Sequence, residues 1–425
     1  MSSTSQRSPL LSSEDWVSVW IGFAFLLLAL VGVRPDLPGF GWTAEEPLKA
    51  FAHGNIHNSL LLAALFLAVS LPGIVLMGGR AASYLAAFPA VYVLAWASQW
   101  AAGNATIKYW GLSYVLFALL LGLAISNFGT VPKWISAGVR TEYYIKIGLV
   151  ILGSNILFDE IMRAGALGVL QAAAVILVVW YACFWISQKL RVDDELAVML
   201  STAVAICGVS AAIAACGAIQ GDRKKLSYVT SLVLIVAAPM MIVMPWAVKA
   251  LGIPDIVGGA WMGGTIDTSG AVVAAGEIAG EAAMNAAVIV KFSQNAMLGL
   301  AAFGLSVWWT LRGSSQTGEK PSARIIWDRF PKFVLGFMIA SLVFSFALNA
   351  DTVAETKGLV KGLRTTWFAM AFVCIGLETR FRDLVAMDEG RPAIAFLAAQ
   401  AINVAWTLLI AYLLFGGLLF PVPEL

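Results

Sequence analysis

Long apolar stretches recur along the whole chain and are separated by short polar connectors. Stretches of about 20 apolar residues have the length that crosses a bilayer as an α-helix. The pattern therefore predicts an all-α polytopic membrane protein with about 13 transmembrane segments. The segments lie at about 16–33, 59–78, 81–100, 112–127, 145–158, 166–188, 196–219, 226–250, 256–278, 284–311, 332–350, 364–380 and 391–420.

Composition supports a helical bundle surrounded by lipid. Hydrophobic residues make up 60% of the chain and charged residues only 12%, against about 25% charged residues in soluble proteins. The net charge of +2 gives no reason to expect a nucleic-acid partner. No zinc-protease, nucleophile-elbow or Walker A motif occurs, and the four cysteines lack a CxxC spacing. We therefore expect no enzyme activity, no metal site and no cofactor.

A short passage occurs in two versions, VILGSNILFDEI (150–161) and VCIGLETRFRDL (373–384). Aligning their glycines pairs Asn155 with Glu378. Seven crossings separate the two copies in the predicted topology, so the second copy is inverted in the membrane. Inverted repeats are typical of secondary transporters, whose sites lie near the bilayer midplane between the halves.

The connectors suggest a division of the chain into four parts. Residues 1–111 are predicted to form an N-terminal extension with about three transmembrane helices. Residues 112–311 form a first transporter half, 312–331 a cytoplasmic connector and 332–425 a second half, with core and panel domains interleaved. The distribution of Lys and Arg over the loops favours a cytoplasmic N-terminus.

Two apolar segments contain centres that are hard to sustain as regular helix. Residues 207–210 read CGVS, and residues 263–270 read GGTIDTSG. Glycine weakens a helix by about 1 kcal/mol relative to alanine, so both centres predict an interruption. Unwound N–H groups and helix N-termini would attract an anion, whereas carbonyls and Asp267 would hold a cation. The alternative is close helix packing through small residues, which explains CGVS as well but explains GGTIDTSG less well.

Ionisable groups occur inside these segments. Asp267 lies near the middle of the ninth segment, where a carboxylate costs about 3 kcal/mol on the insertion scale. Lys291 lies in the tenth segment, and Ser293, Gln294 and Asn295 follow it after Phe292. The lysine and the aspartate could form a structural ion pair, or the lysine could bind an anion or take part in proton coupling. The sequence leaves these alternatives open.

Five stretches of the chain carry a family resemblance: LLLGLAISN (119–127), IKIGLVILG (145–153), AICGVSAAIAA (205–215), AVVAAG (271–276) and VIVKF (288–292). They resemble motifs of the bacterial sulfate exporter family, a group of conserved hypothetical membrane proteins. The resemblance implies membership of the cation:proton antiporter and anion transporter superfamily. It also implies a sodium/proton antiporter-like fold with two crossed broken helices, an elevator mechanism and a homodimer. The crossed pair would be segment seven with segment twelve or thirteen.

The chain departs from the family pattern near the second centre. An intramembrane histidine of that pattern is absent, and the carboxylate, here Asp267, stands one position earlier. Ala271 replaces a glutamine and Gln294 replaces an arginine three residues after the lysine. Losing a cationic group is expected to alter anion affinity or charge coupling.

Together these features predict a secondary active transporter of a small anion, such as sulfate or a related sulfur oxyanion. Asp267 is expected to bind the coupling Na⁺ or H⁺. The alternatives are a Na⁺- or H⁺-coupled organic-acid carrier, a cation/proton antiporter, or a non-transporting membrane scaffold or sensor. The expected substrate-binding residues are Gly208, Val209, Ser210, Thr265, Thr268, Ser269, Lys291, Gln294, Asn295, Asn155 and Glu378.

Overall fold

The computed structural model describes residues 8–46, 51, 53–109, 112–312, 322–380 and 390–425. These residues are overwhelmingly helical, and the β-structure among them is a single bridge between Trp42 and Asn104. The helices are α1 (Pro9–Ser12), α2 (Glu14–Leu30), α3 (His53–Leu76), α4 (Ala81–Ala102), α5 (Ala105–Tyr109), α6 (Tyr114–Phe128), α7 (Thr141–Gly153), α8 (Phe158–Lys189), α9 (Asp194–Thr202), α10 (Gly208–Ile219), α11 (Arg223–Ala250), α12 (Asp255–Thr265), α13 (Ser269–Ala279), α14 (Glu281–Ala296), α15 (Leu298–Leu311), α16 (Arg324–Arg329), α17 (Lys332–Leu342), α18 (Ala350–Glu378) and α19 (Gly390–Phe415). Shorter turns are the 3-10 helix Ile135–Ala137 and the π-helices Ala203–Cys207 and Val343–Ala347.

The all-α membrane class predicted from the hydrophobic pattern is confirmed. Within the described ranges, 8 helices are long and apolar enough to cross a membrane. The shorter apolar helices include Tyr114–Phe128, Ser269–Ala279 and Lys332–Ala347. Each of the predicted segments coincides with helix, while the count of thirteen crossings stays a prediction.

Polar side chains mark where several of the helices begin. Each accepts a hydrogen bond from a first-turn N–H group that has no partner inside the helix. Such caps let an apolar segment start at a defined residue. The caps are Ser13 for α2, Asp193 for α9, Asp222 for α11 and Asn349 for α18.

The chain divides into two compact units, which we describe separately. Unit 1 combines residues 1–158 and 332–379, and unit 2 combines residues 159–331 and 380–425. Each unit therefore takes a stretch from before the connector and a stretch from after it. The units cut across the halves drawn from the sequence, and the three segments of the expected N-terminal extension lie in unit 1.

Unit 1 is built around α7, which is buried almost continuously from Tyr143 to Gly153. Helix α18 packs antiparallel to it, since Gly148 faces Phe368 and the Thr141 hydroxyl donates to Glu378 at 2.9 Å. The two copies of the repeated passage thus lie at the ends of two antiparallel helices. The last part of the second copy, residues 381–384, falls outside the described residues.

The first apolar helix is an integral part of unit 1. A side chain on Gly22 of α2 would collide with Val150 of α7, so the two helices approach closely. At their ends, the Lys146 ammonium lies 2.7 Å from the Glu14 carboxylate and 2.9 Å from that of Asp15. This cluster ties α2 to α7.

Unit 2 contains α9 to α16, α19 and all of α8 except its first residue. Helices α12 and α14 are in close contact because Gly259 and Gly263 leave room for the Ala283 and Ala287 carbonyls. Small-residue packing, the alternative considered for the glycine-rich segment, therefore accounts for these two glycines. It does not account for the residues that follow them.

Candidate functional site

The helix of segment seven is interrupted at Gly208. Helix α9 passes into the π-turn, and Gly208, the first residue of α10, has φ 20° and ψ −101°. This φ lies in the region that favours glycine, and a Cβ on Gly208 would also overlap the Val233 side chain. The predicted interruption is present, and only glycine suits its turning point.

The helix of segment nine is interrupted at residues 266–268. Helix α12 ends at Thr265, Ile266 is extended with φ −73° and ψ 131°, and Thr268 is extended as well. The Thr268 hydroxyl then accepts a hydrogen bond from the Ala271 N–H at 3.2 Å and caps α13. The run that contains Asp267 is therefore non-helical, as its composition predicts.

The two interruptions meet inside unit 2. A Cβ built on Gly208 would lie 3.1 Å from the Asp267 carbonyl oxygen. The Cys207 thiol lies 3.9 Å from the Ser269 hydroxyl. Non-helical backbone at membrane depth is tolerated only when it is buried in protein or lines a wet cavity. Here the two breaks are buried against each other in unit 2.

This pairing corrects the expectation that segment seven would cross segment twelve or thirteen. Its partner in unit 2 is the break of segment nine. Segment thirteen is the uninterrupted helix α19, and segment twelve belongs to the uninterrupted helix α18 of unit 1. Segments seven and nine supply the two breaks. Gly208 is the turning point of the first, and the non-helical residues 266–268 lie between Gly264 and Gly270 in the second.

Carboxamide side chains satisfy carbonyl groups that the breaks leave without helical partners. Gln294 donates to the Ala205 carbonyl at 2.8 Å and to the Gly264 carbonyl at 3.2 Å. Asn403 donates to the carbonyls of Val204 at 3.2 Å and Thr265 at 3.3 Å. Each amide therefore joins both broken segments.

Lys291 also lies where the two breaks meet. Its side chain is only 1% exposed, and its ammonium donates to the Ile206 carbonyl at 3.0 Å and to the Gln294 side-chain oxygen at 2.6 Å. No ion pair between Lys291 and Asp267 occurs in the part of the chain that the structure describes. We call the place where the breaks at Gly208 and at residues 266–268 meet the crossing. The lysine brings a positive charge to this crossing without a direct contact to a carboxylate.

Besides the Gln400 side-chain oxygen, three buried oxygens beside the crossing lack a hydrogen-bond partner among the described residues. They are the Thr265 hydroxyl, Asp267 Oδ2 and the Asn295 side-chain oxygen. A buried polar group without a partner costs about 1–3 kcal/mol, and a charged one costs more. These three oxygens are available to bind an ion or a water molecule.

The N-terminal end of α10 is the open side of the crossing. No side chain caps this helix, Ser210 is exposed, and Val209 and Thr268 are half-buried. A helix N-terminus carries about +0.5 elementary charge together with free N–H groups. This end can therefore receive an anion.

The predicted site residues fall into two groups. Those at 208–210, 265–269 and 291–295 come together around the crossing in unit 2. Asn155 and Glu378 belong to unit 1, where Glu378 contacts the start of α7 and Asn155 follows its end. Fourteen residues of helical rise place those two about 20 Å apart, so they do not form one site within unit 1.

Two residues that the sequence analysis missed are Gln400 and Asn403 of α19. Gln400 donates to the Thr265 carbonyl at 3.0 Å, and Asn403 joins the two breaks. The sequence feature that could have identified them is a pair of carboxamides in an otherwise apolar segment. They are three residues apart and therefore lie on one face of a helix.

Comparisons with known proteins place the chain in a family. The sequence model of a family described as Conserved hypothetical protein 698 matches residues 86–395. A UPF0324 membrane protein of Nitratidesulfovibrio vulgaris is 39% identical over 389 residues, which cover 88% of this chain and 66% of the relative. One from Rhodopirellula baltica is 39% identical over 387 residues, covering 88% and 70%.

A more distant relative aligns over nearly its whole length. The UPF0324 membrane protein of Nitrosomonas europaea is 28% identical over 467 aligned positions, covering 93% of this chain and 95% of the relative. The chain spans about two thirds of the length of the Nitratidesulfovibrio relative. No solved structure matches the chain. Because the family model matches more than half of the chain and the Rhodopirellula relative is 39% identical over 70% of its own length, the chain belongs to the UPF0324 membrane protein family.

Proposed function

We propose that the protein is a secondary active transporter of a small anion, with sulfate or a related sulfur oxyanion as the cargo. The supporting observation is the meeting of two helix breaks beside a buried lysine and an uncapped helix N-terminus. It would work in the bacterial cytoplasmic membrane, with a cytoplasmic N-terminus and as a homodimer. Crossed broken helices support kinship with antiporter-like folds and an elevator mechanism.

Anion binding would use the open end of α10. The N–H groups of Gly208, Val209 and Ser210 lie in its first turn, and the Ser210 hydroxyl is exposed beside them. Lys291 adds a full positive charge in surroundings of low dielectric, where charge interactions are stronger than in water. Thr268 and Ser269 begin the neighbouring half-helix and add hydroxyl groups.

Asp267 would bind the coupling cation in this proposal. Its carboxyl group is 2% exposed, and Oδ2 has no hydrogen-bond partner among the described residues. An ionised carboxylate in that position needs a compensating positive charge close to it. Asn155 and Glu378 of unit 1 stay proposed substrate-contacting residues.

The same carboxylate favours a second candidate, a Na⁺- or H⁺-coupled organic-acid carrier or a cation/proton antiporter. Those proteins need a buried acid that exchanges cations but need no inorganic-anion site. Thermal unfolding of the purified protein distinguishes the candidates. Sulfate or thiosulfate should raise the midpoint for an oxyanion transporter, whereas carboxylates alone should raise it for an organic-acid carrier.

Radiolabelled sulfate flux into proteoliposomes tests the proposal. Lys291→Ala should abolish flux because the buried positive charge is lost, and Asp267→Asn should abolish its dependence on the coupling ion. Lys224→Ala, an exposed lysine at the start of α11, is the matched control and should retain flux. Wild-type vesicles without sulfate flux, or flux that both site variants leave unchanged, would overturn the assignment.

A further inference from the structure

We propose that Thr265, Asp267 and Asn295 form a sodium-binding site next to the place of the anion, so that Na⁺ and the anion bind together. This inference deepens the proposed function, because it names the coupling ion and its ligands. It begins from the three buried oxygens that no donor reaches among the described residues: the Thr265 hydroxyl, Asp267 Oδ2 and the Asn295 side-chain oxygen.

Backbone geometry brings two of these oxygens to the same side. Ile266 is extended, and in extended backbone alternate side chains point the same way. Thr265 and Asp267 flank this extended residue, an arrangement that favours the same side of the break for both side chains. Their exposed fractions of 1% and 2% show that this side is enclosed.

Asn295 completes the group from the neighbouring helix. Its amide nitrogen donates to the Ser269 hydroxyl at 3.0 Å, two residues beyond Asp267. With the nitrogen held there, the amide oxygen is the atom left without a partner. Two of the three oxygens therefore belong to residues 265–269. The third belongs to Asn295, whose side chain is hydrogen-bonded to that stretch.

All three oxygens can act as ligands of a cation, although the Thr265 hydroxyl can also donate one hydrogen bond. A proton on Asp267 would give one oxygen a donor and would supply one hydrogen bond. A cation is coordinated by several oxygens at once, and unwound backbone in transporters coordinates Na⁺ in this way. One carboxylate among neutral oxygens suits a monovalent ion, because Ca²⁺ and Mg²⁺ take more oxygen ligands or retained waters. No cluster of three His, Cys, Asp or Glu side chains suited to a metal occurs in the described ranges.

Charge balance links this site to the anion. Lys291 and Asp267 offset each other, and the N-termini of α10 and α13 together contribute about one positive charge. A bound dianion such as sulfate would leave the crossing with about one excess negative charge. A single Na⁺ at Asp267 removes that excess, so each ion favours the binding of the other.

The other ionisable groups near Asp267 do not replace the cation. Lys291 on α14 donates to Ile206 and Gln294 instead of to the carboxylate. Among the described residues, other titratable side chains near this pair are the thiols of Cys207 beside α10 and Cys183 on α8. A thiol carries no positive charge in either protonation state, so neither replaces a cation at Asp267.

Equilibrium binding of radioactive Na⁺ to the purified full-length protein tests the inference without relying on transport. Binding should saturate and should be displaced by unlabelled Na⁺ but not by choline at equal ionic strength. Thr265→Val and Asn295→Ala should each weaken Na⁺ binding by about tenfold, and Asp267→Asn should remove it. Asn285→Ala is the matched control, since Asn285 lies on the same helix and also has an unpaired oxygen; it should bind Na⁺ normally.

A second measurement detects the linkage and keeps the two proposals separate. Saturating Na⁺ should tighten sulfate binding, and sulfate should tighten Na⁺ binding by the same factor, as thermodynamic linkage requires. Absence of Na⁺ binding together with proton uptake on sulfate binding would overturn the sodium site and leave the anion transporter standing. Na⁺ binding without any sulfate binding or flux would overturn the anion transporter and leave the sodium site standing.

Discussion

At the residue scale, the crossing depends on a few positions that a lipid-facing helix would not use. Gly208 has a positive φ and lies against Val233. Lys291 and Asp267 are buried without pairing to each other. Glycine adopts the positive φ without strain, whereas each buried charge without a close counter-charge costs free energy.

Gly208→Ala is expected to destabilise the protein by about 1–3 kcal/mol, because the added methyl group overlaps Val233 and the turn requires a positive φ. The unfolding midpoint in detergent, followed by tryptophan fluorescence, should fall. Gly304→Ala is the control. Gly304 is exposed in α15 with nothing within 4 Å of a Cβ, so that variant should unfold at or above the wild-type temperature. Equal midpoints for the two variants would contradict the assigned backbone geometry.

Ser210→Cys is expected to react with a membrane-impermeant thiol reagent, because Ser210 is exposed at the open end of α10. Sulfate should slow the reaction if the anion lies at this helix end. Ser201→Cys provides the comparison, since Ser201 is on the same segment and fully buried. The native cysteines in the described residues are buried too. Rapid labelling at position 201, or none at position 210, would rule out this path of access.

At the scale of elements, α19 holds both broken segments through side-chain hydrogen bonds. Gln400 and Asn403 both donate to the Thr265 carbonyl, and Asn403 also reaches Val204. A straight helix thus holds two interrupted ones by side-chain amides. This role explains why two carboxamides occur in an otherwise apolar helix.

Asn403→Leu is expected to lower stability by about 1–3 kcal/mol, because it leaves the Val204 carbonyl without its side-chain donor. Hydrogen exchange should speed up at residues 203–208 and 265–268. Gln400→Leu should have a smaller effect alone, since Asn403 still serves Thr265. The double variant should lose more than the sum of the singles, because the two amides share one acceptor. Additive losses would show that the amides act independently.

At the scale of the molecule, exposed leucines, valines and tryptophans cover the helices of membrane-spanning length; Leu60, Leu177 and Trp246 are examples. This surface is suited to a bilayer. The multi-pass class therefore follows from both composition and structure, and relatives named as membrane proteins agree with it.

Single-cysteine labelling tests the predicted topology of thirteen crossings with a cytoplasmic N-terminus. An odd number of crossings puts the two ends of the chain on opposite sides of the membrane. An impermeant reagent applied to intact cells should label Glu424→Cys and spare Ser8→Cys, both of which replace exposed residues. Permeabilised cells should show labelling of both. Labelling of both positions from outside would require an even count.

The sequence by itself determined the membrane class, the helical segments and the places where two of them break. Hydrophobicity along the chain decides what a bilayer accepts, and a glycine-rich run around Asp267 cannot remain a regular helix in lipid. Only the tertiary structure decided that the break at Gly208 meets the break at Asp267. It also decided that the Gln294 and Asn403 side chains donate hydrogen bonds to the backbone carbonyls next to both breaks. Those contacts join residues that are far apart in the chain, and packing alone selects which unpaired groups satisfy one another.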